Sequence, residues 1–128
     1  MWCLATSSFL KCLMNIESFR ELCLSLPYAT EDMPFDDTVV VFRLKQKIFA
    51  AIFLDKPDLV VMKCNAEKAT ELREQYSAVE SAYHWNKKYW NQIHIDNDVD
   101  RQLMEELLRH AYNEVNAKLP KKDRVQSV

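Results

Sequence analysis

The sequence predicts an α+β domain: an antiparallel sheet with packed helices, in the order α-β-β-β-α-β-α. Three Val-, Ile- and Phe-rich runs crowd into residues 38–64, too close together for the long crossovers that parallel strands need. Apolar residues recur at helical spacing before and after them. The composition, 48% hydrophobic and 28% charged over 128 residues, is that of one globular domain with a core of its own.

Taken in order, Ile16, Phe19, Leu22, Cys23 and Leu26 define a first helix over 16–26, capped by Asn15 and closed by Pro27. Residues 28–37 contain Pro34 and four acids, Glu31, Asp32, Asp36 and Asp37, without a periodic apolar face, and read as a loop. Strands follow over 38–44, 47–54 and 59–64. The middle one is apolar on both faces, as a central strand should be. Lys45 and Gln46 join the first two without the Gly or Asn that a two-residue turn favours, so strain or a longer turn is expected. Asn65 caps a helix over 66–76, a strand fits 91–95, and Asp98 opens a last helix that runs to Leu119 before Pro120. The stripe of that helix is Val99, Leu103, Leu107, Ala111 and Val115, flanked by Met104 and Leu108. Lys121, Lys122 and Arg124 read as a frayed, solvated tail over 121–128, and residues 1–13 as an extension upstream of a domain spanning 14–120.

Several functions are excluded at this level. Glycine is absent, which removes the P-loop, the GxGxxG turn and the GxSxG elbow. The longest apolar run, residues 48–54, is far too short to span a bilayer, so no membrane role is expected. Cys3, Cys12, Cys23 and Cys64 match no zinc spacing, and His84, His94 and His110 complete no ligand set, so neither a metal nor another cofactor is implied. The thiols suit a reducing, cytoplasmic compartment. No catalytic residue is assigned: Ser25, Ser77 and Ser81 lack an activating turn, and His94 and His110 are expected at the periphery. The net charge of -2 provides no global pull toward polyanions.

One segment departs from this background. No acid lies between Glu80 and Asp96, and Tyr83, His84, Trp85, Asn86, Lys87, Lys88, Tyr89, Trp90, Asn91 and Gln92 interleave bases with rings. Lysines neutralise phosphates and flat rings stack on bases, which is the chemistry of nucleic-acid contact. Interior packing uses the same residue types, and Trp90 is expected to anchor the following strand.

The stretches Met14-Asn-Ile-Glu-Ser-Phe-Arg, Leu24-Ser-Leu-Pro, Val41-Phe-Arg, Lys47-Ile-Phe-Ala, Met62-Lys-Cys and Leu72-Arg-Glu-Gln-Tyr, and above all Tyr83-His84-x-Asn86-Lys87-Lys88-x-Trp90-Asn91, resemble the MmcQ/YjbR family over about 14–121. That resemblance implies a frataxin-like (CyaY-like) fold with a "double wing" arrangement for which DNA binding has been proposed. It assigns nucleic-acid binding to Lys63, His84, Asn86, Lys87, Lys88 and Trp90. The chain departs from the pattern where glycines are expected near Tyr28, at Asp36, around Lys45 and Gln46, and before Tyr83, and Trp85 stands where an aliphatic residue is usual. The leading expectation is a DNA-binding module. The alternative is a protein-interaction or adaptor domain that uses the acidic loop 31–37 and the basic segment as opposite patches. The oligomeric state is open.

Overall fold

The computed structural model describes residues 15–82, 85–95 and 100–128. The elements are α1 (Ile16–Ser25), β1 (Ala29–Asp32), β2 (Val39–Leu44), β3 (Lys47–Phe53), β4 (Lys56–Lys63), α2 (Ala66–Gln75), β5 (Val79–Ser81), β6 (Trp90–His94), α3 (Arg101–Ala117) and a 3-10 turn, Lys121–Asp123. The α+β class with helices on an antiparallel sheet holds. The sheet has six strands in the order β1-β2-β3-β4-β6-β5.

Two strands come in addition to the four predicted, both at sheet edges. β1 occupies part of the segment expected to be a loop, pairing Ala29 with Leu44 and Asp32 with Val41. Its sequence, Ala-Thr-Glu-Asp, has little strand propensity, yet charged side chains are what keep an exposed edge from pairing with other chains. Arg20 on α1 grips Glu31 through Nε at 2.7 Å, and Arg43 lies 3.5 Å from Asp32. β5 is three residues long and pairs only with β6. β4 starts at Lys56, three residues earlier than expected. Pro57 falls where the β3–β4 register shifts, the kind of irregularity that tolerates a residue with no N–H to donate.

Asn15 and Asn65 cap α1 and α2 as expected, each accepting backbone N–H bonds with its side-chain oxygen. α2 ends at Gln75, leaving Tyr76 as its C-cap. α3 is capped by Asp100, which accepts from the Leu103 N–H; Asp98 and Val99 lie outside the described residues. The helices bury their apolar faces on one side of the sheet. Phe19 and Cys23 from α1, Ala69 and Leu72 from α2, and Met104, Leu107, Leu108 and Ala111 from α3 meet Phe42, Ala50, Ile52, Val60 and Met62 there. Tyr112, absent from the predicted stripe, is fully buried against Phe49 and donates its hydroxyl to the Pro27 carbonyl.

The chain end is pinned, in contrast to the expected frayed tail. Asn116 exchanges hydrogen bonds with Val125, Asn113 does the same with Val128, and Arg124 Nε donates to the Leu119 carbonyl at 2.9 Å. Two asparagine amides thus satisfy both backbone groups of the residue opposite, giving an apolar Val125 a place beside the core.

β3 is central, as its two apolar faces demand. A bulge at Phe42/Arg43 turns both Phe49 and Ala50 toward the helices, while Ala51 faces the other way. That second face carries its own small cluster: Val41, Ala51 and Val61 lie under Trp85, Tyr89 and Trp90. The segment entering β6 therefore roofs the side of the sheet that the helices leave open. Among the described residues no helix is long and apolar enough to cross a membrane.

Candidate nucleic-acid interface

The roof is built by a short turn with fixed geometry. The Asn86 side-chain oxygen accepts from the Lys88 N–H at 3.0 Å and its carbonyl accepts from the Tyr89 N–H at 3.1 Å, an asparagine-started turn. Tyr89 then ties to the sheet by accepting from the Cys64 N–H at 2.8 Å. Arg73, on α2, holds the turn from behind: its guanidinium donates to the Asn91 side-chain oxygen at 2.7 Å and to the Lys87 carbonyl. Asn91, only 2% exposed, completes the lock by donating to the Ala69 carbonyl at 3.3 Å.

This scaffold sets the cations around the rings. Lys63 ends β4 directly opposite Trp90, and cross-strand neighbours share a face. Its ammonium lies 5.3 Å from the Trp90 ring and 5.3 Å from the Tyr89 ring. Lys88 and Lys118 approach the same Tyr89 ring at 5.4 and 5.5 Å. Three ammonium groups therefore surround one phenol, each within cation–π range. Beside them a groove of about 300 Å3 is walled by Arg43, Lys47, Lys63 and Lys118 and floored by Trp85 and Trp90. Burial pushes the Lys63 pKa down, the positive charges of Lys118 and Lys47 add to the effect, and Glu114 opposes it. Among the described residues none of Lys47, Lys63, Lys87, Lys88 and Lys118 has a carboxylate within ion-pair distance. Such a cluster attracts an anion, which would relieve the mutual repulsion.

Of the residues singled out in the sequence, Lys63 and Lys88 meet at Tyr89. Lys87 is exposed in the same turn, with its carbonyl held by Arg73. The oxygen of Asn86 is engaged in shaping that turn. Trp90, 9% exposed, lies against Trp85 with ring centroids 4.6 Å apart, so it supports the surface more than it presents one. His84 lies outside the described residues. The sequence reading passed over Lys118, Lys47 and Arg43. Arg43 was within reach of it, because strand alternation puts it on the outer face with Val41. Lys118 had no local signal, being the C-cap of α3 some thirty residues beyond the ring it approaches.

Three of the four acids of the 31–37 segment have intramolecular duties. Glu31 binds Arg20, Asp32 leans on Arg43, and Asp36 accepts from the Thr38 N–H and hydroxyl at 2.8 and 2.7 Å. His94 pairs with Glu80 at 3.0 Å on the sheet's outer face. His110 is half-buried, and its Nε2 accepts from the Asn65 N–H at 3.1 Å, a structural task in place of the peripheral position expected. Cys23 and Cys64 are buried and free; burial pushes the Cys64 thiol up to about 11, which keeps it protonated at neutral pH.

Comparison with known proteins identifies the family and the fold. The sequence profile named YjbR matches residues 24–114. The chain is 27% identical over 108 residues to the uncharacterized protein YbdF of Escherichia coli O157:H7, covering 84% of this chain and 88% of that one. It is 24% identical over 112 residues to the uncharacterized protein YjbR of Escherichia coli K12, covering 87% and 95%. Among solved structures, Deinococcus radiodurans protein DR2400, a DUF419 domain, superposes with a TM-score of 0.78 at 30% identity, covering 88% of this chain and 86% of that one. A Pseudomonas syringae protein shares the fold at a TM-score of 0.68 and 21% identity, covering 79% and 98%.

Proposed function

The chain belongs to the YjbR family, and from that premise we propose that it is a cytoplasmic DNA-binding protein whose contact surface is the turn leading into β6 together with the cations around it. The observation that supports this reading best is the gathering of Lys63, Lys88 and Lys118 about Tyr89, without ion-pair partners among the described residues, on a molecule whose net charge is negative. In this reading Lys63, Lys87, Lys88 and Lys118 neutralise phosphates. Asn86 lies alongside as a polar contact, Trp90 carries the ring surface from below, and the family resemblance adds His84 as a further polar contact. No cofactor and no catalytic step are needed. The protein-interaction alternative loses support because Glu31, Asp32 and Asp36 are already engaged within the chain.

Four phosphate contacts give a log–log salt slope of about -3.6 on duplex DNA or about -2.8 on a single strand. Fluorescence anisotropy of a labelled oligonucleotide across a salt series tests this, with Lys88→Glu/Lys118→Glu as the variant, since both side chains are exposed. The expected result is a loss of affinity together with a slope shallower by roughly two contacts. Wild-type affinity in the variant would remove this surface as the binding site. Absence of binding at low salt would remove the DNA reading itself, leaving the adaptor alternative.

A further inference from the structure

We propose that the nucleic acid taken up by this face is single-stranded, with its phosphates along the groove of Arg43, Lys47, Lys63 and Lys118 and one unstacked base seated against Phe35 and Trp85. The inference rests on the DNA-binding reading above and concerns which form of nucleic acid the site accepts.

Its basis is a second hollow on the outer face. This one, about 290 Å3, is lined by Phe35, Val39, Phe53 and Trp85, all apolar. It meets the cationic groove at Trp85, which borders both. Phe35 is 63% exposed, although its ring is held edge-on to Trp85 at 6.3 Å. The outer face thus presents, in sequence, a trough lined with cations, an indole and an open apolar seat. A nucleotide has the complementary layout, an anionic backbone on one side and a flat ring on the other.

Charge orients the strand. On a third side of Trp85 the surface carries Glu80 and Gln92 with a single cation, Lys56, against the four of the groove, and Glu80 faces His94 at 3.0 Å. A phosphate there would meet a carboxylate, so the backbone follows the side of Arg43, Lys47, Lys63 and Lys118. Arg43 leans on the exposed Asp32 at 3.5 Å, a long pair that a phosphate can displace while the guanidinium keeps its bond to the Gln46 carbonyl. Duplex DNA could reach the cations, but its bases are stacked internally. Seating one against Phe35 would require flipping it out of the helix, whereas a single strand offers its bases directly.

The experiment compares a labelled thymidine dodecamer with a duplex of equal length at low salt, for the wild type, Phe35→Leu and Phe35→Trp. Phe35 is exposed, so neither substitution disturbs the core, and circular dichroism verifies the fold. The single strand should bind about 10-fold more tightly than the duplex. Phe35→Leu, which keeps apolar bulk but removes the ring, should weaken the dodecamer about 10-fold while leaving duplex binding and the salt slope unchanged, and Phe35→Trp should restore it. Equal affinity for the two forms, or an unchanged dodecamer affinity in Phe35→Leu, overturns the single-strand inference and leaves DNA binding in place. Failure of both probes to bind overturns the DNA reading on which the inference stands.

Discussion

Replacing Arg73 by Met should destabilise the protein and loosen the aromatic turn together. The guanidinium donates to Asn91 and to the Lys87 carbonyl, linking α2, β6 and the turn with one side chain. Its loss removes a charge-assisted bond and leaves the Asn91 oxygen buried without its donor, which costs about 2–3 kcal/mol in total. The loss corresponds to a fall in Tm of about 10 °C for a domain of this size. Methionine keeps the aliphatic stem, so packing contributes little to the change. Urea unfolding followed by circular dichroism measures the stability, and emission from the tilted Trp85–Trp90 pair reports the turn. Arg73→Lys should recover at most one of the two bonds, because an ammonium lacks the fork that reaches both acceptors. In a cycle with Asn91→Leu, the double variant should fall short of the summed single effects by at least about 1 kcal/mol. The reasoning is refuted if Arg73→Met lies within about 0.5 kcal/mol of the wild type, or if the two substitutions are additive.

Two further outcomes are expected. Tyr28 and Lys45 adopt φ of 62° and 60°, and the Lys45 ammonium lies 4.4 Å from the Tyr28 ring. Glycine at either position relieves left-handed strain of about 1–2 kcal/mol, but it adds unfolded-chain entropy and loses the shared cation–π contact. Each single glycine variant should therefore be near neutral and the double variant more stable by about 1 kcal/mol; a double variant no more stable than the wild type in urea unfolding refutes this. The His110 pKa is lowered by burial and then by Lys68, with Glu114 opposing, so the folded state binds fewer protons at this site than the unfolded state does. The site's contribution is complete above the unfolded pKa of about 6.5 and is lost as the pH falls below it. His110→Gln, which keeps an acceptor for the Asn65 N–H, should flatten the fall in stability between about pH 7.5 and about pH 5. Equal slopes in the two proteins would count against the assignment.

What the sequence made legible follows from how local each determinant is. Asn15 and Asn65 act within one helical turn, so the starts of α1 and α2 could be placed from residue types alone. The double-sided apolar pattern of β3 needed only its own residues to mark a central strand. β1 and β5 were hidden because their strand character comes from partners: Ala29 and Asp32 are extended because Leu44 and Val41 lie opposite. The pinned end was hidden for the same reason, since Asn113 and Asn116 look like ordinary helix-surface residues until Val125 and Val128 fold back on them. At the candidate site the ring-rich turn was visible as a composition anomaly. The cations completing it come from β2, β3 and the end of α3, whose convergence is a property of the sheet order. The departures from the family pattern near Tyr28 and Lys45 fall on the two positive-φ residues among those described, so the resemblance located backbone strain that periodicity could not.

The most distinctive stretch of the sequence divides by role. Asn86 starts the turn with its side-chain oxygen, and Asn91 is buried as the receiver of Arg73. Trp90 is the floor beneath Trp85. These three residues determine where the turn sits and what shape it has; the groups left facing outward are Lys87, Lys88 and the rings of Trp85 and Tyr89. A position that shapes a turn tolerates few residue types, because its hydrogen bonds have fixed geometry, whereas a surface ammonium can be supplied from several neighbouring positions. Lys63, Lys88 and Lys118 illustrate the second case, reaching the Tyr89 ring from three different elements at nearly equal distance. Within the stretch that resembles the family, Asn86, Trp90 and Asn91 therefore hold the surface in place, while Lys87 and Lys88 face outward. In the proposed reading, the groups that would meet the ligand are Phe35, Trp85 and the cations of the groove.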